Sequence, residues 1–197
     1  MISRDWIQSY SGKVVTPLDL RVEQVSLPDI SHALAQKVRF TGHLREMGYS
    51  VAQHCAMGAC ECPTAVQKLA FLLHEVSEVY LPDVATPLKR HIKVRVSGSR
   101  RLISWRELEA RHADVVFAAL GLSEIRPLID SEEAREIDLR MLMTERRDLM
   151  GVSPAPWGIA TRPFQWRIHR VWAPAYAEHD FNALYDLYLR GYRASVR

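Results

Sequence analysis

Apolar residues at helical spacing, boxed between capping residues and prolines, constrain this chain most. After Pro63-Thr64, Leu69, Leu72, Leu73 and Val76 recur three and four residues apart, and Pro82 and Pro87 stop the run. Thr64 is a ready cap, so the segment predicts a helix from Ala65 to Tyr80. The same grammar recurs elsewhere. Asp29 or Ser31 starts a helix to about Val38, and another begins near Ser50 with Val51, His54 and Cys55 on one face. Ser104, with Glu107 three residues on, makes a capping box for a helix to about Leu120, closed by Gly121. Asp130 or Ser131 opens a long helix through Asp138 to about Met150. The last runs from Pro174 to Tyr192 and packs through Tyr176, Phe181, Leu184, Tyr185 and Tyr188. Residues 1–28 read as an irregular arm, in which Lys13-Val14-Val15-Thr16 and Val22-Glu23-Gln24-Val25 suit a small hairpin. Residues 93–101 read as a basic loop, and Gly151 to Pro163 as a Pro/Gly-rich one. With no internal repeat, the expectation is one all-α domain over residues 1–197.

Composition narrows the class. A chain of 197 residues that is 48% hydrophobic and 25% charged can bury a core of its own. A net charge of +3 suits an anionic small ligand as well as nucleic acid and decides between neither. No run is apolar enough to span a bilayer, and the start Met1-Ile2-Ser3-Arg4-Asp5-Trp6 lacks the apolar core of a signal peptide, so a cytoplasmic protein is expected. Cys55, Cys60 and Cys62 are odd in number and clustered, which argues for reduced thiols over disulfides. Cys60 and Cys62 also lack the spacing of a zinc ligand pair and a matching second half.

The chemistry concentrates in Leu72-Leu73-His74-Glu75-Val76-Ser77-Glu78-Val79-Tyr80-Leu81-Pro82-Asp83. First-row divalent metals accept imidazole nitrogen and carboxylate oxygen, and His74 and Glu75 offer one of each. Neighbouring side chains on an ideal helix diverge by about 100°. Both reach one ion if it lies in a groove between two other helices, with His54 and Asp138 closing the site. Glu78, four residues after His74, shares its helical face and is placed to move a proton; Asp83 follows in the turn. A metalloprotease reading of His74-Glu75 fails because position 78 is Glu where a second histidine is needed.

The ordered set His54, His74-Glu75, Asp138 resembles the metal ligands of the HD-domain phosphohydrolases, which read His, His-Asp, Asp. Arg39-Phe40-x-Gly42-His43, Tyr49 to His54, Leu73-His74-Glu75-x-x-Glu78-x-Tyr80, Asp83-x-x-Thr86-Pro87-Leu88-Lys89-Arg90 and Thr144 to Met150 resemble the phage and prophage type of that family, which is similar to bacterial 5'-deoxynucleotidases. The likeness spans about residues 6–150. It implies an HD-type helical bundle in which His54, His74, Glu75 and Asp138 hold Mn, Co or Zn. It further implies that Glu78 is the catalytic acid that positions or activates water, with Asp83 assisting at the phosphate. Arg39 would grip the phosphate, Phe40 would lie against the deoxyribose, and Lys89 would be a second phosphate contact. The implied activity is removal of the 5'-phosphate from deoxynucleoside monophosphates, and by analogy the enzyme would be a homodimer.

One departure matters: the family's defining aspartate is Glu75 here, and its extra methylene moves the carboxylate. Two other readings stand beside the nucleotidase, the first from resemblance to other phage HD proteins and the second from Glu75. A deoxynucleoside triphosphate triphosphohydrolase would draw on Arg95, Arg100 and Arg101, and a non-catalytic nucleotide-binding module would bind without turnover. Nucleic acid is a weaker partner, suggested only by the basic loop and by Phe164, Trp166 and Trp172. Those tryptophans, with Arg162, Arg167 and Arg170, either pack against the domain or close over a base.

Overall fold

Five hydroxyl side chains set the helical frame. Ser26, Ser50, Thr64, Ser104 and Ser131 each accept a hydrogen bond from the backbone N–H three residues on, which satisfies a donor the helix start leaves open. The computed structural model describes residues 5–96 and 100–196. It is mostly helical, with two small two-stranded sheets. The helices are α1 (Leu27–Gln36), α2 (Val51–Cys60), α3 (Ala65–Leu72), the short α4 (Thr86–Lys89), α5 (Trp105–Ala119), α6 (Glu132–Leu149) and α7 (Pro174–Ser195).

Helix α7 packs on α1, α2 and α3, burying Ala177, Phe181, Tyr185, Tyr188 and Tyr192. Val51, Cys55, Leu69, Leu72, Leu73, Val76, Val116 and Phe117 join them in the main core. A second cluster, Leu81, Ile103, Trp105 and Leu108, lies where α5 begins, and a third joins Tyr49, Leu149 and Ile168. Among the described residues no helix is long and apolar enough to cross a membrane. The start Met1 to Arg4, read above for targeting, and residues 97–99 of the basic loop lie outside the described residues.

The frame corrects several expectations. Helix α1 starts at Ser26, ahead of Asp29 and Ser31, because Pro28 fits the first turn and Asp29 is spent accepting from Ser26 Oγ (2.6 Å) and Ser11 N–H (2.6 Å). The N-terminal hairpin exists, but β2 (Val14–Val15) pairs with β1 (Ile7–Gln8), and Val22–Gln24 is a turn of 3-10 helix. The basic segment is partly a hairpin, β3 (Lys93–Arg95) against β4 (Leu102–Ser104), which covers the second cluster with Ile103. Ser123–Asp130, unassigned in the sequence reading, is a 3-10 stretch through Pro127. Tyr176 is not a core residue; it stands half exposed with its ring edge-on to Trp172. The helix from Thr64 ends at Leu72, eight residues short of Tyr80, and a 3-10 turn follows over Val76–Val79.

Candidate metal centre

That early end builds the site. Leu73 leaves the helix at φ −99°, ψ 5° and Glu75 at φ −100°, ψ 18°, while the N–H groups of His74 and Val76 bond only three residues back. The tightened chain brings two adjacent side chains to one cluster, which an ideal helix would separate. His54 comes from the second turn of α2, and Asp138 and Glu145 come from one face of α6, two turns apart. The segment after α1 supplies Arg39: Arg39 N–H donates to Tyr49 O (3.0 Å), and Val51 N–H to Lys37 O (2.9 Å).

His54 and His74 face each other with their Nε2 atoms 3.2 Å apart. Each has its far nitrogen held. His74 Nδ1 lies 2.6 Å from the Phe71 carbonyl, which only accepts, so this nitrogen carries the hydrogen. His54 Nδ1 lies 2.6 Å from a Glu145 carboxylate oxygen. Both Nε2 atoms therefore point at the same space. Asp138 Oδ1 is 3.3 Å from His54 Nε2 and 3.9 Å from His74 Nε2, and Glu75 Oε1 is 3.7 Å from His74 Nε2. Ligand atoms of His54, His74 and Glu75 all lie within 4.8 Å of one another.

The donors fit a divalent cation. Two zinc–nitrogen bonds at a tetrahedral angle hold their nitrogens about 3.4 Å apart, close to the spacing seen here. An imidazole whose distal N–H is tied to a carboxylate or carbonyl is the usual form of a metal-binding histidine. The electrostatics agree. Burial and Arg39 oppose a charge on His54, but Glu145 and Asp138 outweigh them and raise it to about 9. Burial lowers His74 despite Glu75. One positive charge thus belongs between the rings. Burial opposes ionisation of Asp138 and Glu145, but His54 and Arg39 hold both below the usual carboxylate range.

Glu145 was missed by the sequence reading. It is fully buried and accepts from Tyr49 Oη (2.9 Å), His54 Nδ1 and Arg39 Nε (3.1 Å). Its signal was the seven-residue step from Asp138. Arg39 also approaches Glu75 at 3.6 Å, so the expected phosphate contact and the expected ligands are neighbours. Phe40 stacks loosely under Arg39, 5.4 Å from guanidinium carbon to ring centre.

Glu78 is buried on the 3-10 turn; burial first, then Glu75 and Asp83, raise it to about 8. A second missed residue, Lys37, donates to Leu81 O and feels the charges of Glu78 and Asp83. Lys89 is bound to Glu109 at 2.7 Å, with Glu75 and Glu78 near enough to act on its charge. Cys55 lies behind His74, its thiol 3.8 Å from Nδ1 and raised well above its usual range by burial. All three cysteines are free. Trp166 and Trp172 pack against the domain. Trp166 stacks on Phe164 and donates to Glu61, while Trp172 N–H donates to Gln53.

Frame and cluster together define a mostly helical protein with a candidate metal centre of His54, His74 and Glu75, beside which Asp138 lies against both histidines. No family model matches the sequence. The chain is 33% identical over 146 residues to the uncharacterized protein YfdR of Escherichia coli, a match covering 73% of this chain and 72% of that protein, and it belongs to the same family. It is also 28% identical over 161 residues to an uncharacterized protein of Rhodobacter capsulatus, with 78% of each covered.

Proposed function

We propose that this chain is an HD-type, metal-dependent phosphohydrolase that removes the 5'-phosphate from deoxynucleoside monophosphates. The observation that carries the reading is the pair of facing Nε2 atoms, 3.2 Å apart, each ring held from behind by an acceptor. Glu75 reaches this cluster despite its extra methylene, which favours turnover over a binding-only module.

His54, His74, Glu75 and Asp138 would hold the cation. When bound, a divalent cation supplies Lewis-acid polarisation and a lowered pKa for water. The chain's own residues do the rest. Arg39, held through Nε and Nη2 by Glu145, keeps a fixed positive charge beside the cluster for a phosphoryl group. Glu78, protonated near neutral pH, donates its proton to the leaving nucleoside oxygen. Asp83 helps to keep that proton on Glu78 by like-charge repulsion. Lys37 and Lys89 add positive charge beside the developing anion.

The test is phosphate release from each deoxynucleoside mono- and triphosphate with Mn²⁺, Co²⁺ or Zn²⁺, products being resolved by chromatography. Nucleoside and orthophosphate from monophosphates are expected. Nucleoside and intact triphosphate would assign a triphosphohydrolase instead. Binding without any product would make the chain a nucleotide-binding module.

A further inference from the structure

The loop after α6 brings an aromatic residue beside Phe40, the neighbour of Arg39. Trp157, half-buried, lies with its ring 6.4 Å from that of Phe40 at 52°. Its indole nitrogen has no hydrogen-bond partner among the described residues, unlike that of Trp166. Phe40 reaches it from an unusual backbone. Phe40 (φ 56°) and Thr41 (φ 54°) are consecutive left-handed residues that carry a Cβ, a conformation that costs energy and clusters at ligand sites. Arg146 lies over the other aromatic of the pair, 5.0 Å from the Trp157 ring. Arg146 also lines a cleft of about 280 Å³ with Arg45, Met143, Met150 and Ser153.

These groups form a chain of pairwise neighbours that begins at Glu75. Glu75 touches Arg39, Arg39 lies over Phe40, Phe40 meets Trp157, and Trp157 meets Arg146, which itself lines the cleft. A nucleotide presents its parts in the same order: phosphate, sugar, base. We propose that Trp157 is the nucleobase platform, with the base stacked on the indole at the mouth of the Arg146 cleft. This inference rests on the nucleotide reading of the same site. Stacking on an indole tolerates every base, because every base has a π-face. Selectivity is then graded by ring area, purines above pyrimidines, and Arg146 adds a donor for ring-nitrogen and carbonyl acceptors at the base edge.

The probes are dAMP, dCMP and 2-deoxyribose 5-phosphate, which has no base. Their affinities for wild type, Trp157→Ala and Trp157→Phe in the presence of Mn²⁺ are measured by calorimetry, and phosphate release is followed in parallel. Wild type is expected to bind dAMP about tenfold or more tightly than 2-deoxyribose 5-phosphate, with dCMP between. Trp157→Ala should bring that ratio near one, and Trp157→Phe should keep most of it. A ratio unchanged in Trp157→Ala would overturn the platform and leave the phosphohydrolase intact. Conversely, a base-dependent ratio that collapses in Trp157→Ala, without phosphate release from any ligand, would keep the platform and overturn the hydrolase. Failure of all three ligands to bind wild type would overturn both.

Discussion

Glu78 carries the sharpest consequence at the scale of single residues. A carboxyl raised to about 8 by burial, then by Glu75 and Asp83, is an acid at neutral pH and a spent one above it. Turnover should therefore fall as pH rises past about 8. Glu78→Gln should lose on the order of 10²–10⁴ in kcat while retaining the metal, whereas His74→Ala should lose both. Wild-type turnover in Glu78→Gln would end its role as proton donor. Glu145→Gln tests the support behind His54: metal affinity should drop by about 10–100-fold, read by competition with a chelator dye. That His54, His74 and Glu75 would come together was legible as an ordered set of residue types, with His54 one turn after the Ser50 cap and His74-Glu75 at the end of a capped helix. Glu145 was not, because a buried acid amid Thr144, Arg146 and Arg147 looks like a solvated helix face until Arg39, Tyr49 and His54 converge on it.

Among the elements, local and non-local signals parted company. The starts of α2, α3, α5 and α6 were readable because a Ser or Thr cap acts within three residues. The partners of β1 and β4 were not, since pairing depends on residues whose own sequence carries no trace of it. The end of α3 lies between. Val76 is buried as the periodicity implied, and Val79 and Tyr80 with it, yet the chain reaches those places through a tighter turn. Tertiary contacts select it: the Phe71 ring, 4.2 Å from that of His74, fills the gap between α2 and α6. Gly58 on α2 leaves room for that ring, because a Cβ there would overlap Phe71 and press Met141 Cγ at 3.2 Å. Gly58→Ala should therefore destabilise by about 1–3 kcal/mol in urea unfolding and also weaken metal binding, since Phe71 cannot move without His74. Destabilisation with unaltered metal affinity would show that the break and the site are independent.

Across the whole molecule, the proposed function predicts that protonation, metal and folding are linked through the cluster joining α2, α3 and α6. His54, raised to about 9 where the unfolded side chain titrates near 6.5, stabilises the metal-free fold fully below about pH 6.5. That contribution is lost as pH rises through about 9. Asp138 and Glu145, held below their ordinary range, act in the opposite sense: their contribution is present above about pH 4–5 and is lost in acid. Without metal, stability should thus be greatest at mildly acidic pH and decline on the alkaline side. A cation needs the Nε2 lone pair that the proton occupies, so it competes with that proton and binds more tightly as pH rises toward about 9. Metal at a hundred times its dissociation constant adds about 2.7 kcal/mol, which for a chain of this size raises Tm by about 5–11 °C. The increment at one fixed metal concentration should grow from pH 6 to pH 8.5. Scanning calorimetry with Mn²⁺ and with EDTA at both values measures it. An increment that does not depend on pH would mean that no proton leaves when the metal enters, and that the charge between the two rings belongs to neither histidine.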